Sequence, residues 1–322
     1  MKKIKAFLAV AVMPLLFAFQ ATAQAQYPER PIRIITFAAP GGAVDNILRK
    51  MQAPLGQALG QPVVIDNKPG GGGMLALRTL AAAKPDGYTL GYVVSGMVTS
   101  ALIQKQEDLT LEKSFTPISL VADAPIFLYV NSKVPANSVD EFLRFAKAQP
   151  NPIPYSSTGV GLITHAMTEL LSAKTQTPFL HVPYSAHAPS MQALMAGDVM
   201  FTLGSYSDLG IENVKAGRLK LLGVSSAKRS SILPNLPAIA ETVPGFDATV
   251  WVGISAPQGT PPAIIRRLNK ALLDVLREPD IHRNAIANGY EIVTSSPEEM
   301  QQKIVRERTL WEPFLAKMAN PK

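Results

Sequence analysis

The chain contains no cysteine among its 322 residues. This absence excludes disulfides, thiol nucleophiles, thiolate zinc sites and iron–sulfur clusters. An exported protein of this kind has to be held together by its hydrophobic core alone. About 300 residues are enough to build a large core, most readily as two domains.

The sequence also lacks the signatures of several enzyme and binding classes. The patterns G-x-x-x-x-G-K-[ST], G-x-G-x-x-G, G-x-S-x-G and H-E-x-x-H do not occur. Beyond residue 26 no basic run is longer than two, and without the first three lysines 28 basic and 24 acidic residues leave a net charge of +4. Nucleic-acid binding is therefore not expected, and neither a cofactor nor a metal is predicted.

The first 25 residues have the pattern of a cleavable secretory signal. Lys2, Lys3 and Lys5 precede an uncharged apolar run from Ala6 to Phe19, and alanines follow at positions 21, 23 and 25. A charged start, a short apolar run and small residues at the cleavage site are typical of a signal peptide. We expect export to the periplasm of a Gram-negative cell. A retained N-terminal anchor is the alternative.

Short β-rich runs alternate with helical patterns over most of the remaining chain. In the first block, strands are predicted at 32–37, 63–65 and 88–94, and helices at 44–59 and 74–83. A second block, from about residue 124, repeats this alternation. Two helices, predicted at 263–276 and 298–318 with no strand after them, are expected to pack on the first block. The pattern predicts two α/β lobes with parallel sheets.

Two loops between a predicted strand and a predicted helix carry the candidate ligand-binding residues. The first loop contains Pro40, Gly41, Gly42, Val44 and Asp45. The second contains Ser156, Ser157, Thr158, Gly159, Gly161, Leu162 and His165. Glycines permit close backbone approach, and free N–H groups at a helix start attract anions. Alone, the first loop is better explained as a tight turn, and the second is equally compatible with a capped turn. One such loop in each lobe nevertheless favours a cleft that binds a ligand.

Other candidate features carry weaker signals. Gly70 to Gly73 is better explained as a turn or packing site than as a phosphate cradle, because no nucleotide motif surrounds it. His165 and Glu169 have a spacing that permits metal ligation, but the sequence offers no clear third ligand. Tyr184, Tyr206 and Trp251 are candidates to line a pocket, with partly buried packing as the preferred alternative. No catalytic residue is predicted.

Several motifs follow one another at a specific spacing. They are Pro40-Gly41-Gly42-x-x-Asp45 with Arg49, Asn67-Lys68-Pro69 with four glycines, Pro85-Asp86-Gly87-Tyr88, Tyr155-Ser156-Ser157-x-Gly159-x-Gly161-x-x-x-His165, and His181-Val182-Pro183-Tyr184. In this order they resemble the tripartite tricarboxylate transporter receptor family, also called the Bug proteins, over essentially the whole chain after the signal.

The resemblance implies a periplasmic solute-binding protein of the two-lobe, Venus-flytrap type, with a mainly parallel sheet and flanking helices in each lobe. Residues 26–124 and 248–322 would form one lobe and residues 125–247 the other. The implied ligands are di- or tricarboxylic acids, acidic amino acids or aromatic acids. The implied partner is a tripartite tricarboxylate membrane transporter or a sensor, and a monomer is the default.

By matching position, the resemblance places the ligand carboxylate between the loop from Ala39 to Asp45 and the loop from Ser156 to His165. The loop after the third strand adds Ser95 and Met97, and Tyr206 completes the candidate set. The family often has serine where this chain has Leu162, and a basic residue and glycine where it has Ser185 and Ala186. With Met97, Tyr206 and Trp251, these departures give the hypothesis of an aromatic or monocarboxylate ligand.

Two functions from other classes remain as alternatives. An exported hydrolase or lyase on the same scaffold would need an activated nucleophile or a metal site. An adhesin or interaction module would need an exposed apolar patch and no small-molecule cleft.

Overall fold

The computed structural model describes residues 27–319, so the predicted signal peptide lies outside the described residues. No helix within that range is both long enough and apolar enough to cross a membrane.

The described residues form strands that alternate with helices along much of the chain. The strands are β1 (Ile32–Thr36), β2 (Val63–Asn67), β3 (Thr89–Val94), β4 (Phe115–Asn131), β5 (Ile153–Ser157), β6 (Phe179–Pro183), β7 (Phe201–Ser205), β8 (Leu219–Val224), β9 (Thr249–Pro257) and β10 (Glu291–Ile292).

The helices pack on both faces of these strands. They are α1 (Ala43–Leu59), α2 (Met74–Ala81), α3 (Gly96–Ile103), α4 (Leu111–Ser114), α5 (Val139–Ala148), α6 (Ile163–Thr175), α7 (His187–Ala196), α8 (Asp208–Lys215), α9 (Pro262–Val275), α10 (Pro279–Ala287) and α11 (Pro297–Ala319).

One long strand, β4, connects two groups of strands. The order along the sheet is β2-β1-β3-β9-β4-β7-β5-β6, and β10 and β8 also pair with β4. β9 pairs with β4 as far as Pro125, whereas β7 and β8 pair with it from Ile126 and Phe127 onward. We call β1, β2, β3, β9, β10 and the first part of β4 lobe 1, and β5, β6, β7, β8 and the second part of β4 lobe 2.

The second part of β4 is buried on both faces, which explains its continuous apolar sequence. Ile126, Leu128 and Val130 pack in one hydrophobic cluster, whereas Phe127 and Tyr129 pack in another on the opposite face. Successive side chains of a strand point to opposite faces, so helices must cover both sides of lobe 2. Lobe 1 is built around a third cluster.

The final helix, α11, belongs to both lobes. Met300 and Ile304 lie in the lobe 1 core, whereas Trp311 and Leu315 lie in the lobe 2 core. The expectation that this helix packs on the first block therefore describes only its first half. The division of the chain near residues 124 and 248 stays a prediction, which the change of partners along β4 supports.

Most predicted elements are present, and the differences have local causes. The helices α3, α4, α8 and α10 and the first half of β4 were not predicted. The prediction of no strand after the helix at 263–276 is wrong, because β10 follows and pairs with Asp123 and Ala122. Two residues are too few to give a periodic signal, so their pairing is visible only in three dimensions.

Candidate functional site

The loops after β1 and β5 lie at sheet edges that face one another. β3 and β4 both run antiparallel to β9, so β4 leaves lobe 1 at the carboxyl end of β3. Within lobe 2, β7 runs antiparallel to β4 and β5 runs parallel to β7. The carboxyl ends of β5 and β7 therefore point back towards lobe 1. The loop after β1 and the loop after β5 therefore lie on the sides of the two lobes that face each other.

The lobe 1 loop is held by the buried carboxylate of Asp45. Its Oδ2 accepts hydrogen bonds from the Gly41 N–H at 2.9 Å and from Arg49 Nε at 2.6 Å, and its Oδ1 accepts one from Asn67 Nδ2 at 2.8 Å. Burial opposes ionisation, but these donors outweigh it and hold the pKa of Asp45 below its usual value. Asp45 therefore shapes the loop from beneath, and it is not itself exposed to the gap.

The lobe 2 loop has the same backbone geometry. Gly161 and Gly41 have φ of +76° and +82°, and the residues that follow, Leu162 and Gly42, have φ of −75° and −72°. The Gly161 N–H donates to Nδ1 of His165 at 3.0 Å, as the Gly41 N–H donates to Asp45. His165 therefore has the position in lobe 2 that Asp45 has in lobe 1.

Both loops lead into helices whose first N–H groups are not capped by a side chain. Gly42 and Leu162 are the N-cap residues of α1 and α6, and neither carries a capping side chain. Ala39, Pro40, Gly41 and Gly42 are exposed, and Val44 is half-buried. Uncapped helix starts with exposed backbone are suited to binding an anionic group.

Two stacked imidazoles support the lobe 2 loop. The rings of His165 and His181 lie 3.8 Å apart at an interplanar angle of 12°. Burial lowers the pKa of His165, and burial together with the nearby His165 lowers the pKa of His181 to about 4. Both rings are therefore neutral near pH 7, which leaves Nδ1 of His165 free to accept the Gly161 N–H.

The hydroxyl groups of this loop are largely occupied within the loop. Ser157 Oγ lies 2.6 Å from Nε2 of His181 and also accepts from the Gly159 N–H at 3.2 Å. Thr158 Oγ1 lies 3.0 Å from Oγ1 of Thr164, which also accepts the Thr158 N–H at 3.1 Å. Thr164 was not among the predicted residues. The exposed residues of the loop are Val160 and Leu162, whereas Thr158 and Gly159 are half-buried and Gly161 is buried.

The remaining predicted residues lie in different environments. Ser156 is buried and accepts a hydrogen bond from Ser190 Oγ at 2.7 Å, so its hydroxyl anchors α7. Tyr206 is half-buried against Phe127, with ring centroids 5.9 Å apart. Ser95 is fully buried, and its Oγ has no hydrogen-bond partner.

Met97, in contrast, lies beneath the glycine run. Its side chain is fully buried in the lobe 1 core. A Cβ atom added at Gly73 would lie 2.7 Å from Met97 Cε, and one added at Gly72 would lie 2.5 Å from Ser100 Oγ. The glycine run therefore allows close packing on α3. In this conformation Met97 has no surface to offer a ligand, and its predicted ligand contact is not supported by its position.

The structure gives no support to a metal site at His165 and Glu169. Nδ1 of His165 is engaged by the Gly161 N–H, and its Nε2 lies 4.0 Å from Glu169, which also accepts from the Tyr155 hydroxyl at 2.8 Å. Among residues 27–319, no group of three or more histidines and carboxylates has a geometry that could hold a metal ion.

A cavity of about 320 Å³ lies beside the strands that connect the lobes, away from the two loops. In its wall, the buried carboxyl group of Glu307 accepts hydrogen bonds from the indole N–H of Trp251 and, at 3.1 Å, from that of Trp311. Trp251 lies in the lobe 1 core and Trp311 in the lobe 2 core. Glu307 thus links the two cores. Trp251 lines this cavity, as predicted for a pocket, but the cavity lies away from the two loops.

Comparison with known proteins agrees with this architecture. The family model described as the tripartite tricarboxylate transporter family receptor, TctC, matches residues 36–319. The chain belongs to this family. The protein BugT of Bordetella pertussis is 30% identical over 288 residues, which cover 88% of this chain and 88% of that protein.

Two solved structures extend the comparison. A TctC solute-binding protein from Polaromonas, without ligand, superposes with a TM-score of 0.82 at 24% identity and covers 90% of this chain and 99% of its own. The R. palustris protein Rpa4515, solved with adipate, is 31% identical, has a TM-score of 0.69 and covers 91% of this chain and 98% of its own. The two-lobe periplasmic-binding-protein fold is therefore confirmed for this TctC-family receptor.

Proposed function

We propose that this TctC-family receptor captures a small carboxylate between the loop after β1 and the loop after β5, in the periplasm and without chemical conversion. The pair of matching loops carries the proposal. Each has a helix start that no side chain caps, and the two lie on facing edges. The lobe 1 loop is exposed from Ala39 to Gly42, and the lobe 2 loop is exposed at Val160 and Leu162. The adipate bound to Rpa4515, which is 31% identical, supports a carboxylate as the ligand class.

The position of the two loops also suggests how ligand binding could change the arrangement of the lobes. A carboxylate held by both loops contacts both lobes, so its binding favours the arrangement in which the lobes are closed. The closed form would then be recognised by a tripartite tricarboxylate transporter or by a sensor. The signal-like residues 1–25 support a periplasmic location, and we propose that the receptor acts there as a monomer.

A hydrolase is the second candidate, because Ser157 Oγ lies 2.6 Å from Nε2 of His181. However, the same hydroxyl is bonded to the N–H and the C=O of Gly159, as expected for a residue that closes a turn. Incubation with p-nitrophenyl acetate separates the two functions. Turnover that is lost in Ser157→Ala would favour the hydrolase.

The proposed function is tested by thermal unfolding of the folded, ligand-free protein with a panel of acids and with the matching primary amides. A ligand that binds only the folded state stabilises it by about 2.7 kcal/mol at 100 times its Kd. We expect a raised midpoint with at least one acid and none with its amide. Equal shifts with acid and amide, or no shift with any acid, would contradict carboxylate recognition.

A further inference from the structure

Large apolar side chains are exposed where the two lobes approach each other. Ile103, Val160 and Leu162 are 50%, 64% and 49% exposed. Ile103 belongs to lobe 1, and its Cδ1 lies 3.4 Å from the position of a Cβ added at Gly161 in lobe 2. Leu162 lies over Gly159, with Cδ1 3.1 Å from a Cβ added there. These three residues therefore form one apolar rim around the lobe 2 loop.

The basic side chains considered for this site either pair with a carboxylate or have acidic residues close by in the sequence. Arg49 is bound to Asp45 at 2.6 Å, and Lys68 lies 3.4 Å from Asp66. Lys105 is exposed two residues beyond Ile103, and the acidic residues Glu107 and Asp108 follow after Gln106. The loop from Ser157 to Leu162 and the loop from Tyr184 to Ala186 contain no charged residue. A second carboxylate on the ligand would find no unpaired cation on the lobe 2 loops.

From these observations we infer that the ligand is an acid with one carboxylate and an apolar alkyl or aryl body, which lies on Ile103, Val160 and Leu162. This inference rests on the proposed function, since it assumes that the carboxylate is held by the two loops. The hypothesis from sequence named Met97, Leu162, Tyr206 and Trp251, of which Met97 and Trp251 are buried. Leu162 is exposed and remains, and with Ile103 and Val160 it gives the hypothesis its physical basis.

The rim and the loop backbone offer different environments to the two ends of a ligand. An apolar body placed against the rim removes exposed hydrocarbon from water, which favours binding in proportion to the area buried. A carboxylate in the same place would lose its hydration without gaining a cationic partner, which opposes binding. The ligand chemistry should therefore change along its length, from anionic at the loop backbone to apolar at the rim.

Hexanoate and adipate make a direct test, because the two six-carbon acids differ only in the terminal carboxylate. We expect calorimetry to show that hexanoate binds at least tenfold more tightly than adipate. Comparable affinities, or tighter binding of adipate, would overturn the inference and leave the proposed function standing. Failure of both acids, together with every other acid of the panel, would overturn the proposed function as well.

A pair of substitutions tests whether the apolar body of the ligand contacts the rim. Leu162→Ser removes one rim side chain, which is 49% exposed, whereas Leu180→Ser removes a leucine that is 56% exposed on β6, outside the rim. Leu162→Ser should weaken hexanoate binding at least fivefold and leave adipate unchanged or bound more tightly. Leu180→Ser should change neither affinity. An unchanged hexanoate affinity in folded Leu162→Ser, shown by an unaltered unfolding midpoint, would contradict the assignment of the rim.

Discussion

Asp45 and His165 occupy equivalent positions in two different lobes. Each lies four residues after a glycine with positive φ and accepts the N–H of that glycine, at 2.9 Å for Asp45 and 3.0 Å for His165. One acceptor is a carboxylate and the other is an imidazole nitrogen. The two loops of the candidate site therefore share a conformation, although a carboxylate stabilises it in one loop and an imidazole in the other.

The acceptor at position 165 should determine the shape of the lobe 2 loop. His165→Ala leaves the Gly161 N–H without its partner, and we expect a loss of about 1–2 kcal/mol in stability and of about tenfold in ligand affinity. His165→Asn is the matched variant, because its amide oxygen can accept the hydrogen bond from the Gly161 N–H, as the Asp45 carboxylate accepts that of Gly41. Urea unfolding and calorimetry with hexanoate measure both effects.

If His165→Ala and His165→Asn bind equally well, the hydrogen bond to Gly161 does not shape the site. The pH dependence gives a further check. Because the folded-state pKa values of His165 and His181 are lowered, their contribution to stability is present above pH 6.5. It is lost as pH falls from 6.5 towards 4, the value to which the pKa of His181 is lowered.

Removing the Asp45 carboxylate should destabilise lobe 1. Asp45→Ala breaks hydrogen bonds to Arg49, Asn67 and Gly41 at once, and we expect a loss of about 3 kcal/mol in the free energy of unfolding. Asp140→Ala provides a control, since that carboxylate pairs with Arg144 on the exposed surface of α5 and should change stability by less than about 1 kcal/mol. Similar losses in the two variants would show that Asp45 does not organise the loop.

The alternation of apolar and β-branched runs was sufficient to predict most strands and helices, because each is a local pattern. The two loops were predictable for the same reason, since glycines between a strand and a helix are visible in the sequence. The equivalence of Asp45 and His165 was not, because unlike residues perform the same task and only the backbone angles reveal it. Likewise, nothing in the sequence shows that Met97 lies beneath Gly73, or that α11 spans both cores.

Glu307 should make stability depend on pH near neutrality. Burial raises its pKa from 4.5 to about 7, despite hydrogen bonds from Trp311 and Trp251. Between these values the folded state binds more protons than the unfolded state, so stability falls as pH rises from 4.5 through 7, by on the order of 3 kcal/mol at most. Lys303 and Asp123 face the same carboxyl group and partly offset each other.

The substitution Glu307→Gln isolates this contribution, because the amide does not titrate. We expect the difference in unfolding free energy between parent and variant to change steadily between pH 4.5 and 7. Histidine titration is common to both proteins and cancels in the difference. A constant difference over this range would mean that Glu307 keeps the same charge throughout.

Close packing beneath the glycine run should make Gly73 intolerant of a side chain. Gly73 has φ of +90°, and a Cβ atom there would lie 2.7 Å from Met97 Cε. Gly73→Ala should therefore cost about 1–3 kcal/mol of stability. Gly96→Ala is the control, since nothing lies within 4 Å of its added Cβ and its φ is not positive. Equal stability of the two variants would contradict the packing described for this segment.

The most direct test of ligand capture between the lobes is the distance between them. The chain has no cysteine, so Ala53→Cys on α1 and Ala148→Cys on α5 give two exposed, specific positions for spin labels. Pulsed electron–electron double resonance then gives the distribution of distances between the two labels. It is measured with and without the acid that binds most tightly in calorimetry. We predict that the acid shifts the distance distribution to a narrower set of distances, because one carboxylate contacts both loops. An unchanged distribution with the acid bound would contradict capture between the lobes.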